Sequence, residues 1–148
     1  IFGNMVFLYI FGDNVEDKLG PTRFLTLFVL SALAGGLAQM LTQGAGAIPT
    51  VGASGAIAGV LAAYGVLFPH VRVRMVIAFF PVYMSVLVYL AFWIIFNLGM
   101  GFAGGQGVAW WCHVGGFFMG AIIAWPQRRQ AFEALMAKAM TEGRYRRR

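Results

Sequence analysis

The chain has 148 residues, 60% of them hydrophobic and 11% charged, with a formal net charge of +6. Average soluble domains carry about 45–50% apolar and about 25% charged residues, so 11 basic and 5 acidic side chains are too few to clothe a water-soluble globule of this length. A mean hydropathy of +0.76 excludes disorder, which needs low hydrophobicity, and one cysteine excludes a disulfide scaffold. What remains is a polytopic membrane protein, an all-α transmembrane helical bundle forming one domain over residues 1–148.

A spanning helix takes about 20 apolar residues, with a range of about 17–25. Residues 1–11 are too short for this and read as the tail of a span whose beginning is missing. Residues 12–20 form a polar connector holding three of the five acids. Residues 21–41 form a full span, opened by Pro21, whose missing N–H is no loss at a helix start. Residues 42–53 are polar, Gly-rich and uncharged. A short span at 54–68 and a basic turn at 69–74 lead to a long span at 75–98. An uncharged, Gly-rich connector follows at 99–109, then a short span at 110–125 stopped by Pro126.

Five alternating spans place 12–20, 69–74 and the tail on one face. Lys18, Arg23, Arg72, Arg74 and seven tail residues account for all the basic side chains, and all lie at or near that face. The positive-inside rule makes it cytoplasmic. In the basic cytoplasmic tail, 127–148, the stripe Ala131, Phe132, Leu135, Met136 and Ala139 with Arg128, Arg129 and Lys138 among the polar positions reads as an interfacial helix. Its expected partner is anionic lipid, and not nucleic acid.

Asn4, Ser31, Gln39, Ser54, Ser85, Asn97, Cys112 and His113 nearly exhaust the notable polar groups of the spans. An ionisable residue inside a membrane is a functional candidate by default, and His113 opens an apolar span. Spans 54–68 and 110–125 run in the same direction, so Ser54 and His113 share a depth. A hydroxyl and an imidazole at one buried depth suit nucleophilic catalysis, the imidazole taking the hydroxyl proton. His70 lies about 24 Å down the same helix from Ser54 and cannot be that base. Cys112 points about 100° away from His113 on the helix and reads as a small buried apolar residue. Gly55 and Gly59, like Gly116 and Gly120, have the small-xxx-small spacing that lets helix backbones approach closely.

With these residues in place the chain resembles the rhomboid family of intramembrane serine proteases. Gly52-Ala53-Ser54-Gly55 matches its GxSG motif, His113 with Gly116 and Gly120 its HxxGxxxG, and Gly12, Glu16 and Gly20 its GxxxExxxG loop. Asn4 falls where the family carries a motif Asn. The resemblance covers essentially the whole chain. It implies Ser54 as nucleophile and His113 as general base, with Asn4 and the Ser54 backbone N–H holding the oxyanion. It implies Gly116 and Gly120 packing the His helix on the Ser helix, Glu16 bracing the turn between Gly12 and Gly20, and 99–109 as a mobile cap. Membrane-spanning protein substrates are implied, and no metal or organic cofactor. The expected location is the bacterial inner membrane.

Two features depart from the family pattern. The family's first span and its oxyanion His, four residues before the Asn, would precede Ile1, so the 148 residues alone are expected to cleave poorly. Some members place a Tyr four residues after the nucleophile to stack on the His; Ala58 stands there, so His113 must be oriented otherwise. The competing expectation is an inactive rhomboid-like protein that binds membrane clients, which usually lacks the Ser or the His. A transporter would want inward-facing charges or broken helices at mid-membrane, and neither is evident.

Overall fold

The computed structural model describes residues 2–43, 52–77, 80–129, 133, 136 and 137. A helical rod opens it: α1 (Phe2–Phe7), a π-helical turn (Leu8–Gly12) and α2 (Asp13–Leu19) follow without a break. The polar connector expected at 12–20 is therefore helical up to Leu19. Phe11, Val15 and Leu19, four residues apart, form a buried stripe that fastens this segment to the core, while Asp13 and Asp17 face outward. Gly20 ends the helix with φ +80°, a conformation that favours glycine, and its N–H donates to the Glu16 carbonyl oxygen over 2.7 Å.

Helix α3 (Pro21–Gln43) begins at the proline and is about 34 Å long at 1.5 Å per residue. Among the described residues it is the one helix long and apolar enough to cross a membrane by length and composition. Its buried residues are Leu27, Ser31, Gly35 and Gln39, a single stripe at every fourth position. Phe24, Phe28, Ala34 and Ala38 beside that stripe are half-buried, and Leu25, Leu33, Leu37 and Leu41 on the outer face are exposed.

Helix α4 (Ser54–Leu67) is the opposite case, buried along nearly its whole length. Helix α6 (Trp110–Ala124) lies against both α3 and α4, and a short 3-10 turn (Trp125–Gln127) follows it. The close approach is made by glycine. A Cβ on Gly116 would fall on the Gly55 carbonyl and one on Gly120 on the Gly59 carbonyl, closer than any side chain can sit. Gly35 of α3 meets the Cys112 carbonyl oxygen in the same way, at 2.5 Å from a built Cβ.

The long span expected at 75–98 divides into two structures. Strands β1 (Arg72–Ile77) and β2 (Phe80–Ser85) pair antiparallel, from Arg72 opposite Ser85 to Ile77 opposite Phe80. Helix α5 (Val86–Phe102) starts only after Ser85, whose Oγ accepts from the Leu87 N–H over 3.3 Å. Summed hydropathy cannot separate a strand pair from a span. The local pattern can: Arg72 and Arg74 are exposed and Val73 between them is half-buried against the core, a period of two. Val73, Val76 and Ile77 are β-branched, and Pro81 is tolerated because a two-stranded sheet has only edge strands. The bundle therefore carries a β-hairpin that an all-α reading omits. Helix α5 also runs to Phe102, four residues into the expected 99–109 connector.

Apolar side chains fill one end of the bundle, where Phe11, Val15 and Leu19 meet Leu61, Tyr64, Leu67, Val86, Leu90 and Ala124. The N-termini of α4 and α6 lie toward the other end. The connector expected at 42–53 falls largely outside the described residues. So do the tail helix expected at 127–140 and the basic cluster at its end.

Candidate active site

Ser54 is the first residue of α4, and the turn before it depends on Gly52, whose φ of +141° other residues rarely adopt. The helix N-terminus turns the N–H groups of its first residues outward without intrahelical partners. Ser54 thus presents a hydroxyl and a backbone donor at one point. His113 sits in the first turn of α6, three residues after Trp110.

These two residues, with Asn4, line one cavity of about 410 Å³. Met5, Gly52, Ala53 and the loop Gly107-Val108-Ala109 complete its wall. Ser54, His113 and Asn4 are each half-buried. Ser54 Oγ and His113 make no direct hydrogen bond in this arrangement; contacts of this kind are often looser without substrate.

Gly55 and Gly59 continue α4 away from Ser54, and Gly116 and Gly120 continue α6 away from His113. Their backbone contacts set the register of the two helices. Gly12 and Gly20 flank α2, and Glu16 supplies its main-chain carbonyl to the Gly20 turn. Cys112 is buried between Gly35 and Gly55. Among the described residues, no three His, Cys, Asp or Glu side chains come together as metal ligands do.

Two polar residues of the spans, given no role by spacing, brace the start of α6. Gln39 of α3 is buried, and its Oε1 accepts from the Cys112 N–H over 3.0 Å. That bond satisfies one of the donors a helix N-terminus leaves open. Asn97 of α5, 2% exposed, donates from Nδ2 to the Trp93 carbonyl oxygen over 2.8 Å. Its Oδ1 lies 2.7 Å from His113 Nδ1. The Trp93 ring lies 5.7 Å from the imidazole and the Trp110 ring 6.3 Å, the latter edge-on. With Ala58 at the position a stacking Tyr can take, the tryptophans and Asn97 hold the ring. The available signal for both residues is a lone amide inside an apolar run, which is costly to bury unless paired.

A rhomboid-domain family model matches residues 1–130. The chain is 33% identical over 132 residues to Rhomboid protein 1, mitochondrial, of Saccharomyces cerevisiae, covering 82% of this chain and 36% of that protein. It is 40% identical over 63 residues to RHOMBOID-like protein 5 of Arabidopsis thaliana, covering 43% of this chain and 20% of that protein. No solved structure matches at a significant level. The chain belongs to the rhomboid family, whose members are integral membrane proteins and mostly intramembrane serine proteases, with inactive members among them. It spans about a third or less of the length of these two relatives. An expected bacterial inner membrane finds no support here, since one relative is mitochondrial by name.

Proposed function

We propose that this chain is the catalytic part of an intramembrane serine endopeptidase that cuts membrane-spanning proteins. The observation that carries the reading is the shared cavity: Ser54, His113 and Asn4 come from three helices and line the same wall. Family membership supports the protease class, and the presence of both Ser54 and His113 favours it over a client-binding protein that has lost one of them.

In this reading His113 takes the Ser54 hydroxyl proton as Oγ attacks the peptide carbonyl carbon. The tetrahedral oxyanion is held by the Asn4 amide and the Ser54 N–H, donors aimed where charge develops. The intermediate collapses with cleavage of the C–N bond, and the imidazolium gives its proton to the leaving amine. Water, deprotonated by His113, then releases the acyl group from Ser54. The bilayer houses the bundle, with the hairpin and the basic tail on the same side and the tail against anionic lipid.

The test uses the full-length protein in liposomes, with a fluorophosphonate probe and a membrane-spanning reporter substrate. Labelling and cleavage should both occur, and both should vanish in Ser54→Ala. A folded wild-type protein that neither labels nor cleaves, yet retains membrane proteins, would instead establish the client-binding function.

A further inference from the structure

We propose that Asn97 is the positioning residue for His113, fixing which imidazole nitrogen serves as base; this rests on the reading of His113 as that base. Asn97 lies sixteen residues before His113 on a different helix, and its two amide atoms are spoken for in opposite directions. Nδ2 donates to the Trp93 carbonyl oxygen over 2.8 Å, and Oδ1 faces His113 Nδ1 at 2.7 Å. Turning the amide round would set Oδ1 against the Trp93 carbonyl, two acceptors at hydrogen-bond distance. The Trp93 bond therefore fixes the oxygen toward the histidine.

An oxygen at 2.7 Å requires a hydrogen on Nδ1, because a lone pair there would again oppose two acceptors. A neutral imidazole carries one N–H. With the proton on Nδ1, the free lone pair is on Nε2, so Nε2 is the nitrogen that takes the Ser54 proton. Because the base's second nitrogen decides its tautomer and ring direction, Asn97 acts on the chemistry without touching substrate. It does so from α5, whereas the Ser54–His113 alignment is set between α4 and α6. Ala58 leaves the imidazole without a tyrosine from the Ser54 helix, and among the described residues the α5 contact is the polar restraint on its direction.

The consequence is read in two ways on the full-length protein in detergent or liposomes. In ¹⁵N-histidine-labelled protein near neutral pH, the His113 signal, assigned by its loss in His113→Gln, should show Nδ1 protonated and Nε2 bare. In Asn97→Leu the two tautomers should mix. Cleavage by Asn97→Leu should lose about 10- to 100-fold in kcat, the scale seen when a metal-bound histidine loses its outer partner, with KM little changed. Asn97→Asp should restore most of that loss, since a neutral carboxyl reproduces both bonds, its O–H to Trp93 and its C=O to Nδ1.

A wild-type spectrum with the proton on Nε2 would overturn the proposal. So would Asn97→Leu that keeps the wild-type tautomer and kcat. If Asn97→Leu fails to fold, the wild-type spectrum and the Asn97→Asp kinetics decide it alone. The spectrum needs no activity, so an inactive protein with the Nδ1–H tautomer would refute the protease reading while leaving the Asn97 contact standing.

Discussion

Helices α4 and α5 are both apolar, yet they treat their side chains in opposite ways. Helix α4 is built largely of Gly and Ala, with Gly55, Ala56, Ala58, Gly59, Ala62, Ala63 and Gly65 all buried. Helix α5 buries Val86, Leu90 and Asn97 and exposes Leu87, Val88, Phe92, Ile95, Phe96 and Phe102. In water large apolar residues go inside; in lipid, tails are as apolar as leucine, and close packing of small residues holds helices together. Small residues therefore take much of the packed surface of α4, while α5 turns many of its large apolar side chains outward. The nucleophile candidate sits at the end of the hemmed-in helix, and Asn97, the partner of His113, sits on the edge helix. The cavity and its surroundings thus draw on a buried helix and on a more exposed one.

The most severe test of that division separates chemistry from packing. Ser54→Ala removes a half-buried hydroxyl that makes no hydrogen bond within the described structure. Cleavage should fall by about 10⁴-fold or more, as for other serine nucleophiles. Unfolding stability should stay within about 0.5 kcal/mol of wild type, the usual range away from structural contacts. A large loss of stability would mean that Ser54 is a packing residue like its glycine neighbours.

Gly120→Leu attacks the other half. The first carbon of the new side chain would already fall on the Gly59 backbone, where no rotamer can relieve it. Overpacking usually costs about 1–3 kcal/mol; with backbone as the obstacle the loss should reach the top of that range or exceed it. Activity and stability should fall together, measured by cleavage and by denaturant titration in micelles. If Gly120→Leu unfolds like wild type, α4 and α6 are not in register through these glycines.

The edge helix should respond with the opposite sign. Gly99 lies within α5, exposed, with nothing within 4 Å of the position a Cβ would take. Gly99→Ala should stabilise by about 0.5–1 kcal/mol, because glycine loses more backbone freedom in a helix interior than alanine does. Destabilisation would place a neighbour against this face of α5 and weaken the contrast with α4.

Legibility in the sequence follows the same physics. Pro21 and the apolar run after it mark α3, Ser54 and His113 stand out because polar residues are rare choices in apolar spans, and the glycines stand out by their small-xxx-small spacing. The hairpin does not stand out: from Met75 to Met84 the residues are as apolar as a span, and the strand signals are local, the alternation of Arg72 and Arg74 with Val73, the β-branched Val76 and Ile77, and Pro81. The Phe11, Val15 and Leu19 stripe is hidden because the acids between its members dominate a hydropathy sum. Asn97 and Gln39 are visible as polar residues but not as partners. Their bonds join helices that meet only in the fold, and spacing along one helix says nothing of what crosses from another.

The smallest expected effect tests how well the junction of α3 with α4 is understood. Ser31 is fully buried, and its Oγ has no hydrogen-bond partner among the described residues. The side chain abuts Gly59, where a Cβ on that glycine would collide with it. Its small size is needed there; its hydroxyl is not, and a buried unpaired hydroxyl forfeits its hydration for nothing in return. Ser31→Ala keeps the size, removes the unpaired group and substitutes a better helix former. Stability should be unchanged or rise by up to about 1 kcal/mol. Ser31→Val adds methyl groups against Gly59 and should cost about 1–3 kcal/mol. Denaturant titration of the two variants gives the comparison directly. A loss above about 1 kcal/mol in Ser31→Ala would mean that the hydroxyl is bonded in the folded protein, and that α3 is tied to the bundle by a polar contact as well as by close packing.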